Sequence, residues 1–242
     1  MITLPLLSAT DKTSFPDVNY ALEEPNGLLA FGGDLSVERL VSAYHNGIFP
    51  WFSQGEPILW WSPDPRTVLY LDDIHVSRSL KKFIRKNNLS ITVDNAFNEV
   101  IQACAEPRLQ QKETWILPEM IDAYSELHKA GYAHSIEVWQ NDKLVGGLYG
   151  VALGQLFFGE SMFSRIPNGS KIALFFLAKQ LYRWGFRFID CQVYSNHLES
   201  MGAISIPRDQ FISEVNQYTF QKSLNQSWQC DNDLNEYIKQ FL

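Results

Sequence analysis

Polar side chains interrupt two segments that otherwise have the composition of buried strands. In FFGESMFS (157–164), Glu160 stands among aromatic residues. In RFIDCQV (187–193), a single residue separates Asp190 from Gln192. An ionised carboxylate is unfavourable in apolar surroundings unless a specific partner stabilises it. Paired acid and amide groups of this kind can hold a cation or accept a proton from a reacting amine. We therefore take these three polar residues as the candidates for chemistry.

The elements that position these residues follow from hydrophobic periodicity. Three segments alternate like strands, with turns at Asn141-Asp142 and Gly154 between them: 134–140, 143–153 and 155–163. A helix from Asn168 or Ser170 to Trp184 and the strand 187–193 follow. This order of meander, crossover helix and strand is typical of the core of the acetyltransferase-like (GNAT) superfamily, and we expect an α+β protein with a central mixed, largely antiparallel sheet.

The alternation of the last strand predicts two different faces. Phe188, Asp190 and Gln192 share one face, and the other face carries Ile189, Cys191 and Val193. A polar face on such a strand has two interpretations, an edge strand exposed to water or a functional site. Glu160 near the end of the neighbouring strand favours the second interpretation.

The remainder of the chain divides at Ser62-Pro63-Asp64-Pro65. Residues 1–62 are rich in turns and aromatic residues, with a short helix from Ser36 to Gly47, and are predicted to form a small N-terminal domain. Residues 63–242 are predicted to form the GNAT-like catalytic domain, with helices near 94–105 and 117–130 and a tail of unassigned role after about 222.

Composition limits the class of protein. The 242 residues are 45% hydrophobic with a net charge of −7, which excludes a disordered chain and argues against a general nucleic-acid binder. The three cysteines lie far apart without a CxxC spacing, so neither a zinc knuckle nor a disulfide framework is expected. With no basic leader and no membrane-spanning stretch, the sequence predicts a cytoplasmic protein without membrane contact. We also expect the protein to be a monomer.

One segment departs from the acidic average. HVSRSLKKFIRKNN (75–88) contains five basic residues and no acid. As a helix capped by Ser77, it places Val76, Leu80, Phe83 and Ile84 on one side and its basic residues on the other, namely Arg78, Lys81, Lys82, Arg85 and Lys86. A solvated helix face usually mixes both signs of charge, so this basic face indicates contact with a polyanion such as a nucleic-acid backbone.

Two alternative functions arise from shorter patterns. Ser161, Asp190 and His197 follow the chain order of a serine hydrolase triad, but Phe163 replaces the second glycine of a G-x-S-x-G elbow. A CoA-dependent GNAT-type N-acyltransferase requires a pyrophosphate-binding turn before the crossover helix, and the turn at 165–170 lacks that spacing. A donor other than CoA is the third possibility.

Longer motifs carry a resemblance to a known family. GGLYG, FFGESMFS, IDCQV and HLESMGA, together with EPNGLLAFGGDLS, GIFPWF and ILWWSPDPR, occur in order from about Phe15 to Phe211. The chain therefore resembles the leucyl/phenylalanyl-tRNA–protein transferase family. The resemblance implies an enzyme that moves Leu or Phe, and also Met, from aminoacyl-tRNA to the α-amino group of proteins beginning with Arg or Lys, creating a degradation signal.

The resemblance also implies the roles of individual residues. The catalytic group falls on Glu160, Asp190 and Gln192. Contact with the terminal adenosine is implied for Trp51 and Trp115. Contact with the tRNA backbone is implied for the basic helix residues Arg78, Lys82, Arg85 and Lys86. The apolar pocket for the donor side chain is expected among Leu148, Met162, Leu174, Leu177 and Ile189.

The implied chemistry agrees with these residue types. An aminoacyl ester is already activated, so amide formation needs no ATP, metal or other cofactor, and the enzyme must mainly align the amine with the ester carbonyl. Asp190 acts either as the proton acceptor, together with Gln192, or as an electrostatic anchor for the cationic acceptor. Gln192 polarises the carbonyl or orients the amine, and Glu160 supports both residues or the positive charge of the acceptor.

Overall fold

The structure is a computed structural model that describes residues 4–107, 116–222 and 228–242. Its elements, in chain order, are β1 (Leu6–Leu7), a 3-10 turn (Val18–Tyr20), β2 (Leu28–Gly32), α1 (Val37–His45), β3 (Phe49–Pro50), β4 (Leu59–Trp61), β5 (Arg66–Tyr70), α2 (Arg78–Lys86), β6 (Ser90–Val93), α3 (Phe97–Ala105), α4 (Pro118–Lys129), β7 (Ala133–Gln140), β8 (Lys143–Leu153), β9 (Leu156–Ser164), α5 (Gly169–Arg183), β10 (Phe188–Gln192), α6 (Asn196–Glu199), β11 (Ile204–Ile206), α7 (Arg208–Tyr218) and α8 (Leu234–Lys239). None of the helices in these described ranges is long and apolar enough to cross a membrane.

Two sheets organise the described part of the chain. The smaller one has the strand order β1-β2-β4-β3, and the larger one has the order β11-β5-β10-β9-β8-β7-β6. The chain passes from the small sheet to the large one between Trp61 and Arg66. In the large sheet, β10 is parallel to β9, and the other described pairs are antiparallel. The predicted mixed, largely antiparallel α+β sheet is therefore confirmed, with β7, β8 and β9 as its meander and α5 as the crossover.

Buried side chains form an apolar layer on each face of the large sheet. One layer packs α1, α3, α4, α7 and the small sheet against it, and the other packs α2, α5 and α8. The two faces therefore meet different environments, and a residue's position in the strand alternation decides which helices it contacts.

Local sequence explains the basic helix α2. The Ser77 hydroxyl accepts from the Leu80 amide at 3.2 Å, which caps the first turn, and Arg85 and Lys86 lie in the last turn, where cations favour the helix dipole. Leu80 and Ile84 are buried beneath it. The predicted cap and amphipathic arrangement are confirmed.

Several strands differ from the sequence expectation. β5, β6 and β11 were not anticipated, and the helix expected near 94–105 begins only at Phe97, because residues 90–93 pair with β7 as an outer strand. The edge-strand interpretation of β10 is wrong, since β10 lies between β5 and β9 and Asp190 is fully buried.

The alternation along β10 is also broken. Asp190 pairs with Val68 and Gln192 pairs with Thr67, so Cys191 is an extra residue that forms a β-bulge. Gln192 has a φ of +62°, in the left-handed region, which costs a non-glycine residue about 1–2 kcal/mol. Such a conformation persists only where surrounding contacts enforce it. The end of β10 is therefore a place where tertiary contacts determine the direction of a polar side chain.

Candidate active site

A pocket of about 330 Å³ opens beside the end of β10. The five residues predicted for the donor side chain all line it: Leu148, Met162, Leu174, Leu177 and Ile189. Glu160, Asp190 and Gln192 also line it, so the structure brings the predicted apolar and polar groups to one cavity. An apolar cavity with a few convergent polar groups is the usual form of a small-ligand site.

Glu160 is held by hydrogen bonds from three side chains. The Tyr44 hydroxyl donates to Oε1 at 2.8 Å, the Tyr124 hydroxyl donates to Oε2 at 2.9 Å, and Gln192 Nε2 donates to Oε1 at 2.8 Å. The hydroxyls of Tyr44 and Tyr124 also contact each other. Tyr44 comes from α1, so a helix of the N-terminal part reaches into the large sheet to position this carboxylate.

Burial dominates the electrostatics of Glu160. Desolvation raises its pKa from 4.5 to about 7, against the opposing effect of the two tyrosine hydroxyls. The negative charge of Asp190 raises the pKa further, and Arg66 lowers it. Burial likewise raises the pKa values of Tyr44 and Tyr124 well above 10. The tyrosines are therefore hydrogen-bond donors at neutral pH, while Glu160 can gain or lose a proton near it.

Asp190 is paired with an arginine that the sequence analysis did not assign to the site. Arg66 Nε donates to Oδ1 at 2.9 Å and Nη2 donates to Oδ2 at 2.7 Å, with both side chains fully buried. The backbone amide of Gln192 donates to the same Oδ1 at 2.9 Å. The three polar side chains predicted for the site therefore do not all contact one another. The side chain of Gln192 contacts Glu160 directly, whereas the Asp190 carboxylate faces Arg66.

The predicted adenosine residues are placed in part. Trp51 lines the pocket, is 43% exposed and packs against Trp61 with ring centroids 5.7 Å apart. The Trp51 side chain is thus partly accessible at the pocket, and stacking on a base requires such access. Trp115 lies outside the described residues.

The basic face of α2 is exposed at its four predicted contact residues, Arg78, Lys82, Arg85 and Lys86. Among the described residues, no carboxylate lies within 4.0 Å of these cations, unlike Lys129 and Lys239, which pair with neighbouring glutamates. The loop before α2 is joined to the loop after α6, because the His75 amide donates to the Met201 carbonyl at 2.8 Å. Leu198, three residues earlier, lines the pocket.

Comparison with known proteins identifies the family. A family model described as leucyl/phenylalanyl-tRNA protein transferase matches residues 68–216, and a model of that family's N-terminal domain matches residues 33–64. A leucyl/phenylalanyl-tRNA–protein transferase of Nitrosomonas eutropha is 58% identical over 90% of this chain and 94% of its own length. One of the same name from Azotobacter vinelandii is 60% identical over 83% and 89%.

The chain belongs to the leucyl/phenylalanyl-tRNA–protein transferase family. It is therefore an aminoacyltransferase, and the resemblance seen in its motifs is confirmed. Among solved structures, L-PGS from Bacillus licheniformis has a TM-score of 0.40 and 14% identity over 62% of this chain and 47% of its own, a likeness too low to establish a shared fold.

The two alternative functions do not fit the site of this transferase. Ser161 lies inside β9, so the strand–turn–helix of a nucleophile elbow is missing. At the start of α5, the amide of Ser170 donates to the Ser164 hydroxyl at 2.7 Å and that of Gly169 donates to the Ile166 carbonyl at 3.2 Å. Amides that would bind the pyrophosphate of CoA are thus already hydrogen-bonded within the transferase.

Among the residues that the structure describes, one group has the composition of a metal site. Ligand atoms of Asp94, His128 and His134 lie within 4.8 Å of one another. However, His134 Nδ1 is 2.7 Å from Asp94 Oδ2 and His128 Nδ1 is 2.8 Å from the Ala133 carbonyl, so the inward ring nitrogens already have partners. None of the three lines the pocket. We interpret the group as a hydrogen-bond network that joins α4 and β7.

Sequence reasoning missed Arg66, Tyr44 and Tyr124 as parts of the transferase site. Arg66 ends the quoted motif ILWWSPDPR but had no assigned role. The tyrosines stand on the apolar faces of α1 and α4, where a buried hydroxyl needs a partner. A search for a buried acid to match these hydroxyls could have linked them to Glu160.

Proposed function

We propose that this transferase moves Leu or Phe, and also Met, from aminoacyl-tRNA to the α-amino group of proteins beginning with Arg or Lys. The product carries a new N-terminal residue that marks it for degradation in the cytoplasm. The observation that carries this proposal is the pocket itself, where apolar walls end at Glu160 and Gln192.

The donor side chain is assigned to the apolar walls. Leu174 and Leu177 of α5 form one wall, and Leu148 and Ile189 of β8 and β10 form another. A cavity of about 330 Å³ without a charged group on these walls favours Leu, Phe and Met over polar donors. Selection within the apolar set is then by shape, with about 1–3 kcal/mol for each methylene that is missing.

The reaction consists of the attack of the acceptor amine on the ester carbonyl. The amide C–N bond forms, the ester C–O bond breaks, and the freed ribose hydroxyl of the tRNA takes one proton. Most of the required barrier reduction comes from alignment of the two reactants, because the ester is already activated. Gln192 is assigned to orient the amine or the carbonyl, since its side chain is fixed by Glu160 at the pocket wall.

The cationic acceptor is assigned to the polar end of the pocket. Bringing a positive charge close to Glu160 favours the ionised form of a carboxyl group whose pKa is raised to about 7. The acceptor therefore adds a positive charge beside this buried acid, in addition to that of Arg66. Peptides that begin with an acidic residue meet repulsion instead, which supports selection of Arg and Lys.

The tRNA is assigned to the basic face of α2. Its four predicted contact residues are exposed and have no carboxylate within 4.0 Å among the described residues, and a hydrogen bond joins His75 to the loop after α6; both observations support phosphate binding on this face. The 3′ end then reaches the pocket past Trp51.

Transfer from charged tRNA to a defined peptide tests the proposal. Leucyl-tRNA is incubated with a labelled peptide beginning with Arg, in the presence of EDTA and without ATP or CoA, and the matched controls are the same peptide N-acetylated and a version beginning with Glu. We expect the label to gain one Leu only on the Arg peptide. Transfer to all three peptides, or acetylation of the peptide when acetyl-CoA replaces leucyl-tRNA, would contradict the assignment.

A further inference from the structure

Arg66 is a fully buried charged residue paired with Asp190, which lines the pocket. Its guanidinium lies 4.7 Å from the centre of the Phe49 ring and 4.5 Å from that of Phe211. Phe49 belongs to β3 of the small sheet and lines the pocket, whereas Phe211 belongs to α7. Two aromatic faces thus hold the planar guanidinium in one orientation. Among the described residues, Nη1 has no hydrogen-bond partner, so its orientation is set by the rings and by Asp190.

Asp190 lines the pocket, but its carboxylate is fully buried and is held by Arg66 and by the Gln192 amide. Its side chain has no exposed surface, Oδ1 accepts from both Arg66 and the Gln192 amide, and Oδ2 accepts from Arg66. A group that takes a proton from a bound amine must lie within hydrogen-bond reach of that amine. Asp190 does not meet this requirement while its side chain is fully buried against Arg66.

The hydrogen bond from the Gln192 amide gives Asp190 a different role. Gln192 follows the bulge at Cys191 with a φ of +62°, and its side chain reaches Glu160 from that conformation. Oδ1 of Asp190 is the acceptor that fixes the Gln192 amide in this conformation, at 2.9 Å. The direction of the Gln192 carboxamide therefore depends on Asp190, whose own direction depends on Arg66.

The geometry points to Arg66 as a positioning residue of the transfer reaction, which acts through Asp190 to set the backbone of Gln192. Asp190 serves as a hydrogen-bond acceptor for that backbone and not as the proton acceptor. This inference rests on the proposed function. Stability alone does not account for the pair, because buried ion pairs are often replaceable by apolar residues of similar volume without loss of stability. Its position beside the pocket is explained by the alignment of Gln192.

Two double variants separate positioning from proton transfer. R66M/D190N and R66M/D190L both remove the charge pair with side chains of similar size, but only the asparagine keeps an oxygen that can accept from the Gln192 amide. The control is R39M, because Arg39 is also fully buried but donates to the Ser8 and Asp11 carbonyls of the N-terminal segment. Each protein is assayed for kcat, KM and melting temperature with leucyl-tRNA and the Arg peptide.

We expect R66M/D190L to lose about 10²-fold in kcat with little change in KM, as a misaligned reactive group does. R66M/D190N should be at least about tenfold more active, the rate equivalent of one retained hydrogen bond. R39M should lose melting temperature and keep kcat. Equal and low activity of the two double variants would overturn the inference in favour of proton transfer by Asp190. Wild-type activity in both would reduce the pair to a purely structural role.

Two further measurements keep the test decisive. If R66M/D190L does not fold, the single variant R66K keeps the charge but replaces the two donor nitrogens of the guanidinium with one ammonium nitrogen, and unchanged kcat in R66K overturns the inference. Crystal structures of the folded variants give a readout independent of activity: R66M/D190N should keep the positive φ of Gln192 and its bond to Glu160, and R66M/D190L should lose both. Wild-type protein that leaves the Arg peptide unmodified would refute the proposed acceptor, whereas these crystal structures test Arg66 separately.

Discussion

Replacing Glu160 with glutamine should remove the contribution of this carboxyl group to the pH dependence of the protein's stability. Burial raises the pKa of this carboxyl group from 4.5 to about 7 in the folded protein. The folded state therefore binds its proton more tightly than the unfolded chain does. The resulting stabilisation is fully present below about pH 4.5 and is lost as the pH rises towards 7.

The magnitude follows from the shift. A difference of about 2.5 pKa units at 1.36 kcal/mol per unit corresponds to about 3 kcal/mol of unfolding free energy. Glutamine imitates the protonated acid and does not titrate, so E160Q should become more stable relative to wild type by up to about that amount between pH 4.5 and 8. The neighbouring Tyr44 and Tyr124 remain protonated throughout this range, because their pKa values are raised well above 10.

Urea unfolding of wild type and E160Q, measured at several pH values across this range, tests the prediction. The difference between the two proteins cancels the titration of the other groups that the proteins share. E126Q is the matched control, because the Glu126 side chain is 61% exposed, and its pH dependence should parallel wild type. If E160Q also parallels wild type, burial does not control the protonation of Glu160 and the reasoning fails.

Three further predictions address the donor. W51A should raise the KM for leucyl-tRNA, because a base–aromatic stack contributes about 1–3 kcal/mol. It should change the melting temperature little, since Trp51 is 43% exposed. A lower melting temperature with an unchanged KM would make Trp51 a core residue. Replacing Arg78 and Arg85 with alanine should flatten the plot of log affinity for leucyl-tRNA against log salt by roughly 0.7–0.9 for each lost phosphate contact, with K239A as the control. Transfer from the small donor leucyl-adenosine should be unaffected. Equal impairment of both donors would mean that the tRNA binds elsewhere. M162A should enlarge the pocket and raise the ratio of kcat/KM for Phe over Leu by roughly tenfold, and an unchanged ratio would exclude Met162 from the donor pocket.

Elements with a local physical cause were predictable. The helix α2 follows from its cap at Ser77 and its amphipathic period, and the meander follows from alternation and turn residues. The short strands β5, β6 and β11 were not predictable in this way. Their three to five residues carry too little periodic signal, and their strand state depends on pairing with partners distant in the chain.

The candidate site was predictable as a set of residues but not as a set of contacts. Alternation placed Asp190 and Gln192 on one face, and the family resemblance added the apolar pocket, whose five predicted residues all line the cavity. The same alternation could not reveal the bulge at Cys191, because a bulge inserts one residue into the pairing and depends on the neighbouring strand.

The sequence by itself determined the type of chemistry, through polar residues placed in apolar strands, and the family, through motifs that are local in the chain. Only the tertiary structure decided which groups hold those polar residues. Arg66 meets Asp190 across 124 positions and Tyr44 meets Glu160 across 116. Such partners are selected when β5 joins β10 and α1 packs on the large sheet, and both events depend on the packing of the whole chain, which no local pattern of residues specifies.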